Sequence, residues 1–319
     1  MERPPSWTNP FLALIIISGA IAWMNVRSES LPEARFDGFN VVATAAAPFG
    51  SASADLSLAK ARQLGASAVA VIPFLWQPRL DSPDLVRGND MNDEELRTAI
   101  REAHAHGLAV LLKPHVWVPQ SWAGAIAMHS DADWQLWFAS YRRELAHIAK
   151  IAEEEKADAL AIGTELSQSP VSTRSACRYI RRLAATMIAI FDGARCGATA
   201  DRLDMLSVTY RKPVVIAEIG LRSAEGAAAK PWESAEERTA PTDPTLQADV
   251  LADWLAILNR PTVDGVLIWR WFTNPQAGGL TDTDFTVQGK PAERVLQCAW
   301  TRGCQSKLEP DLKKGSIIR

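Results

Sequence analysis

From residue 36 onward, short apolar runs alternate with amphipathic stretches. Residues 39–44 (FNVVAT) read as a strand. In DLSLAKARQLG, Leu56, Ala59 and Leu64 then recur at helical spacing, and Gly65 stops the helix. A second strand is expected over 67–74 (SAVAVIPF). A helix follows over 93–107, with Asp93 as its cap and Gly107 as its end. Residues 108–118 (LAVLLKPHVWV) give a third strand, 130–155 a long helix and 158–166 (DALAIGTEL) a fourth strand. A helix is expected over 172–191, strands over 212–220 (KPVVIAEIG) and 264–272 (DGVLIWRWF), and between those two a helix near 245–259. The strands are almost continuously apolar instead of alternating, which marks a parallel sheet covered on both faces. Strand–helix repetition over roughly 250 residues points to a (β/α)8 barrel before a doubly wound sheet. Neither GxGxxG nor a phosphate-binding loop follows the first strand, so nucleotide chemistry lacks its usual support.

The spacing is uneven. Glu165 and Glu218 end what read as the fourth and seventh strands, so three βα units, about 90 residues, should separate them. The chain supplies 218 − 165 = 53. Once the helix over 172–191 is drawn, only 192–211 (DGARCGATADRLDMLSVTYR) remains. CGATA there could be a short strand, and LDMLSVTY a second strand or a helix. The expectation is a TIM-barrel-like fold that is incomplete around its fifth and sixth βα units.

The N-terminus is far more apolar than the rest. No charged residue lies between Arg3 and Arg27, and residues 11–26 read FLALIIISGAIAWMNV. Trp7 and Trp23 stand at its flanks as interfacial anchors do. The run reads first as an uncleaved signal anchor, with a cleaved signal peptide or a buried helix as alternatives. The expected organisation is an anchor or signal over 1–27, a linker over 28–35, the barrel-like domain over 36–305 and a tail over 306–319. The domain would then lie outside an inner membrane, in the periplasm or beyond, tethered by that helix or secreted. Of four cysteines, Cys298 and Cys304 bracket AWTRG and are candidates for a small disulfide loop.

Formal charge is −3, from 34 basic and 37 acidic residues, and no long basic run exists, so no nucleic-acid partner is expected. No cysteine spacing suggests zinc, and no nucleophile elbow suggests acyl transfer. The twelve tryptophans against three tyrosines change the picture more. Trp-lined clefts stack on flat apolar ligand faces, sugars included, although any one Trp can equally pack the core.

In such barrels the reacting groups sit at the C-terminal ends of strands. Those positions hold Trp76 after the second strand, Lys113, His115 and Trp117 on the third, and Thr164 and Glu165 on the fourth. Glu218 with Arg222 follow on the later strand, and Trp269, Arg270 and Trp271 on the last; Asn40 lies early in the first. Two carboxylates at one barrel mouth are what glycoside hydrolysis requires, one to protonate the leaving oxygen and one to attack or to activate water. The structural alternative is a Glu in a buried ion pair with Arg222 or Arg270.

Several ordered motifs carry a resemblance. LKPHVWVPQSWAGAI, the pattern Trp134, Trp137, Phe138, Tyr141, then IGTELSQS, KPVVIAEIGLRS and the ending DGVLIWRWF with GGLTDTDFTVQGKPA resemble glycoside hydrolase family 113 over about 36–300. The resemblance implies a retaining TIM barrel with β-1,4-mannan hydrolysis as its best-known activity and no metal or organic cofactor. It implies Glu165 as acid/base, Glu218 as nucleophile, Trp271 as the aromatic under the sugar, and Lys113 and His115 as cleft residues. A strand-six aromatic that helps hold the nucleophile would fall to Tyr210. Where the clan has Asn before the acid/base, this chain has Thr164. The expected substrate is a polysaccharide or oligosaccharide. The rival functions are a catalytically impaired carbohydrate-binding remnant in exopolysaccharide handling, and a transglycosylase.

Overall fold

Mostly apolar runs form the strands, and the amphipathic stretches between them form helices that cover the sheet. A computed structural model of the chain describes residues 35–88, 91–121, 123–164, 187–190, 196–231, 233–235 and 237–301. In chain order these comprise β1 (Gly38–Val42), α1 (Ala52–Gln63), β2 (Ala68–Val71), β3 (Phe74–Trp76), β4 (Val86–Arg87), α2 (Asp93–Ala105) and β5 (Ala109–Leu112). There follow β6 (His115–Trp117), α3 (Asp131–Glu154), β7 (Ala159–Leu160), β8 (Met187–Ile190) and α4 (Cys196–Tyr210). The chain continues through β9 (Val214–Ile219), α5 (Pro244–Leu258), β10 (Val263–Phe272) and α6 (Pro291–Thr301).

Seven strands form one sheet in the order β7-β5-β2-β1-β10-β9-β8, all parallel. The first strand therefore lies beside the last, as in an α/β barrel. The curl follows from one contact. Lys113, just beyond β5, donates to Glu218 on β9, although β2, β1 and β10 lie between those strands. In a flat sheet four strand spacings would separate them by about 19 Å, beyond the reach of any side chain. The fold is α/β and TIM-barrel-like, with β7 and β8 at the two ends of the sheet.

Alternate residues face the helices or the barrel interior. Phe39 and Val41, Val69 and Val71, and Val110 and Leu112 join Leu58, Leu96 and Ile148 in the outer core layer. On β1 and β2 the inner positions are small or polar: Gly38, Asn40, Ala68 and Ala70. At Gly38 the backbone approach demands glycine, since a Cβ would stand 1.7 Å from the Ala68 carbonyl oxygen.

The structure departs from the sequence expectations in four places. Each of the strands expected over 67–74 and 108–118 is cut by a proline. Pro73 and Pro114 bring no N–H to a ladder, and beyond them β3 and β6 pair with each other, with β4 on the other side of β3. The cap of α2 is Asn92 instead of Asp93; Glu95 completes a capping box with it. Met187–Ile190, placed by the sequence in a helix, is a strand paired with β9, because a short apolar run takes whichever state its neighbours offer. CGATA and LDMLSVTY together make α4, a stretch rich in helix-favouring Ala, Leu, Met and Arg. The sixth βα unit is therefore complete, as β8 and α4, and the expectation of a deficit there is corrected. The segment that would hold the fifth unit lies outside the described residues. So do the apolar run 11–26, the linker 28–34, the tail 306–319 and Cys304. Cys298 is disulfide-bonded. Among the described residues no helix is long and apolar enough to cross a membrane.

Trp271 is fully buried in the outer layer. It packs on Phe39 at 4.5 Å and donates its indole N–H to Ser57 at 2.8 Å. Truncation there removes a large packed ring and one of the two hydrogen bonds of the Ser57 hydroxyl, which still donates to the Phe272 carbonyl at 2.7 Å. W271A is expected to lose about 3–5 kcal/mol of stability, measured as a shift of the urea midpoint. W269A, at a half-buried ring, should lose clearly less. Equal losses would show that the two indoles do not occupy opposite faces of the strand.

Candidate active site

Three inner positions meet: Asn40 in the middle of β1, Lys113 just beyond β5 and Glu218 near the end of β9. The Lys113 side chain is 1% exposed, and its ammonium donates to Glu218, to Asn40 Oδ1 at 2.8 Å and to the Ala217 carbonyl at 3.4 Å. Asn40, fully buried on β1, turns its amide the other way, to the carbonyls of Ala217 at 3.1 Å and Leu267 at 3.4 Å. The charge of Lys113 thus has three acceptors, which is what a buried ammonium needs to offset lost hydration. Glu218 is the member that reaches solvent at the mouth, with its side chain 17% exposed. The ion pair that the sequence offered with Arg222 or Arg270 is made with Lys113 instead.

Two register shifts aim the side chains. The outer layer takes Val214 and Ile216 from β9 and then Ile219, a step of three, and the pairing with β8 slips between Ala189 and Ile190. This bulge frees Glu218 from the outward side that strict alternation after Ile216 would give it. On β10, Asn40 pairs with Trp269 but Val41 with Trp271, so Arg270 is the extra residue. Trp269 consequently faces the interior, while Trp271 is turned into the outer layer. The expected aromatic under the sugar is therefore not Trp271. The ring that faces the interior is that of Trp269, 5.5 Å from the Lys113 ammonium. Gly220 allows this seat, since a Cβ there would come within 2.6 Å of the Trp269 carbonyl oxygen.

Beyond the prolines, β3 and β6 carry a wall of rings. His115 stacks on Phe74 at 6.0 Å and meets Trp269 edge-on at 6.4 Å. Trp117 contacts Phe74 at 5.9 Å and Trp76 at 6.0 Å. Phe74, Trp76 and Trp117, with Val42, Ile72 and Met91, line a cleft beside the mouth. Below it, Trp137 on α3 donates to buried Gln77 at 2.8 Å and stacks on Tyr141 at 5.2 Å. Burial pushes the Tyr141 phenol well above its ordinary range, and its hydroxyl donates to the Ile162 carbonyl at 3.2 Å. The chain after β7 is tied a second time by Thr164, whose hydroxyl donates to the Pro114 carbonyl at 3.1 Å.

The structure gathers Trp76, Lys113, His115, Trp117, Glu218 and Trp269, and leaves three other candidates out: Trp271, already placed in the outer layer, Arg222 and Tyr210. Arg222 is buried behind the mouth, donating to the carbonyls of Thr283 at 3.1 Å and Ser234 at 2.8 Å, and so pins two loops. Tyr210 ends α4, ahead of the first residue of β9, and is 53% exposed at the opposite end of that strand from Glu218. It cannot hold Glu218 from there. Glu165 lies outside the described residues. Asp282 and Asp284 are committed to cations: Asp282 accepts from Lys290 at 2.6 Å and Asp284 from Arg270. Burial holds the Lys290 ammonium below its usual value against the pull of those carboxylates. Sequence reasoning missed Phe74. Its signal was the period of two that links it to Trp76 once Pro73 is taken as a strand break.

A family model described as Glycoside Hydrolase Family 113 matches residues 39–194 and 190–290. Among solved structures, the chain is similar to the GH113 β-mannanase AaManA from Alicyclobacillus acidocaldarius in complex with ManMIm. The identity is 21% and the TM-score 0.74, covering 86% of this chain and 99% of that one. A second GH113 β-1,4-mannanase matches at 23% identity and TM-score 0.74, over 84% of this chain and 99% of that one. GH5_18 from Streptomyces cattleya in complex with GlcNAc matches at 16% identity and TM-score 0.52, over 86% and 82%. At these identities the likeness is one of fold. No curated protein matches the chain.

Replacing Lys113 by Met keeps the stem and removes the charge, leaving Glu218 and Asn40 facing a gap. K113M is expected to lose roughly 3 kcal/mol, and K113M/E218Q should recover part of it because the uncompensated carboxylate is gone. A double-mutant cycle from urea denaturation reads the coupling. Strict additivity would mean that the pair contributes nothing to the curled sheet.

Proposed function

The chain belongs to glycoside hydrolase family 113, and on that premise we propose that this glycoside hydrolase cleaves β-1,4-linked mannan with retention of configuration. The observation that carries the proposal is the Glu218 carboxylate, set at the barrel mouth on a buried ammonium with the Trp269 ring beside them. Glu218 attacks the anomeric carbon as the glycosidic C–O bond breaks, and Glu165 gives its proton to the departing oxygen. Water then attacks the glycosyl–enzyme ester, Glu165 takes the proton from that water, and the Glu218 carboxylate leaves. Throughout, Lys113 and Asn40 hold Glu218 in one place, and placement is what such a step is most sensitive to. The β-mannanase names of the similar structures support the choice of sugar.

Two finer readings go with it. From Ala159 to Met187 the chain advances about 28 residues, where two βα units average about 60. We infer that the barrel is curtailed at its fifth unit. The apolar run 11–26 supports export, with the domain tethered on the outer side of an inner membrane or released.

E218A should lower kcat on β-mannan by roughly 10³-fold or more. A 2-deoxy-2-fluoromannosyl fluoride should label Glu218 alone in the wild-type enzyme, read by peptide mass spectrometry, and the first-formed product should be the β-anomer by NMR. Label on another residue or an α-anomer overturns the retaining assignment. Absence of hydrolysis on every β-mannan tried favours the binding remnant instead.

A further inference from the structure

The reaction above uses the barrel mouth, but the three-stranded sheet beyond Pro73 and Pro114 extends past it. In that sheet β3 and β6 run in register, with Phe74 opposite His115 and Trp76 opposite Trp117. The strand period of two sends Leu75 and Val116 into the core, where both are buried. The same period turns the four rings to the other face, as two rows. The near row, His115 and Phe74, adjoins Trp269. The far row, Trp76 and Trp117, lies one strand period farther out, about 7 Å. A sugar seated over Trp269 at Glu218 leaves that far row uncovered.

The far row is rigid as well as open. Trp117 is 47% exposed, a large apolar ring left toward solvent. Yet its carbonyl accepts from the Gln77 N–H at 2.9 Å, and Gln77 is in turn held by Trp137. A stiff pair of indoles, Trp117 exposed and Trp76 half-buried beside it, continuous with a reaction cleft, is pre-organised to stack on the C–H face of a pyranose. The cleft wall they share with Phe74 and Met91 carries no charged side chain among the described residues. That suits a neutral hexose and offers nothing to the carboxylate of a uronic acid.

Resting on the reading of Glu218 as the reacting carboxylate, we propose that Trp76 and Trp117 form a second sugar-binding position. It holds a neutral hexose of the same glycan, beyond the residue attacked at Glu218. The enzyme therefore selects longer chains over disaccharides, and the selection resides in binding instead of in the chemical step.

The test uses the full chain with hydrolysis blocked by E218Q, titrated calorimetrically with mannobiose, mannohexaose, cellobiose and cellohexaose. The ratio of hexaose to biose affinity should fall about tenfold in W117A/E218Q, the loss of one aromatic–sugar stack. W117F/E218Q should restore most of it. In the active enzyme, W117A should raise KM for mannohexaose several-fold more than it lowers kcat. Trp117 is at the surface, so circular dichroism and the urea midpoint of W117A verify folding independently. A ratio independent of Trp117 for both sugars, or no hexaose binding at all, overturns the second position. Trp117-dependent binding of cellohexaose without mannohexaose keeps the position and overturns the mannan reading.

Discussion

The Lys113 ammonium crosses the barrel interior to the Glu218 carboxylate, and the crossing exists only because the strands between them are curled. Burying an ammonium costs several kcal/mol in lost hydration, and here the cost is offset by three acceptors from two strands. Small residues make the approach possible. Around the pair, Gly38, Ala68, Ala70 and Ala217 leave room on the inner face of the sheet for Lys113 and Asn40. A bulkier inner layer would fill that space, and the pair would have nowhere to meet. The same interaction thus stabilises the curvature and fixes the charged group at the mouth.

Around this pair, interruptions of regular strands do the aiming. Pro73 and Pro114 end two ladders at the same level, and the segments beyond them form the small sheet that carries Phe74, Trp76, His115 and Trp117. The extra residues on β9 and β10 then set the face on which Glu218, Trp269 and Trp271 emerge. Each irregularity forgoes a little ladder regularity and redirects a functional side chain, which is the usual use of bulges beside reactive sites.

Polar groups behind the mouth work in support. Arg222, Lys290 and Arg270 bind loops by carbonyls and by Asp282 and Asp284. Their role is to keep the segments after β9 and β10 in place. Charged residues near a barrel mouth are therefore of two kinds here. Lys113 reaches Glu218 at the mouth, while Arg222, equally buried, gives two of its donors to backbone carbonyls.

What the sequence determined by itself was the class of fold, the order of most elements and the carboxylate on β9. Each rests on a signal contained within one short segment: an apolar run, a helical period, or a charge where burial would otherwise exclude it. The ring-bearing positions Trp76, His115 and Trp117 were legible for the same reason. Tertiary structure decided the rest. Trp269 and Trp271 are separated by two in the sequence and so look equivalent; only a one-residue slip against β1 places them on opposite faces. Met187–Ile190 is a strand because β9 has an open edge for it. Tyr210 is remote because a helix, not a strand, carries it to the far end of β9. Lys113 became the partner of Glu218 through a sheet curvature summed over five strands. Contacts of that kind depend on how distant segments are brought together, and no local pattern records them.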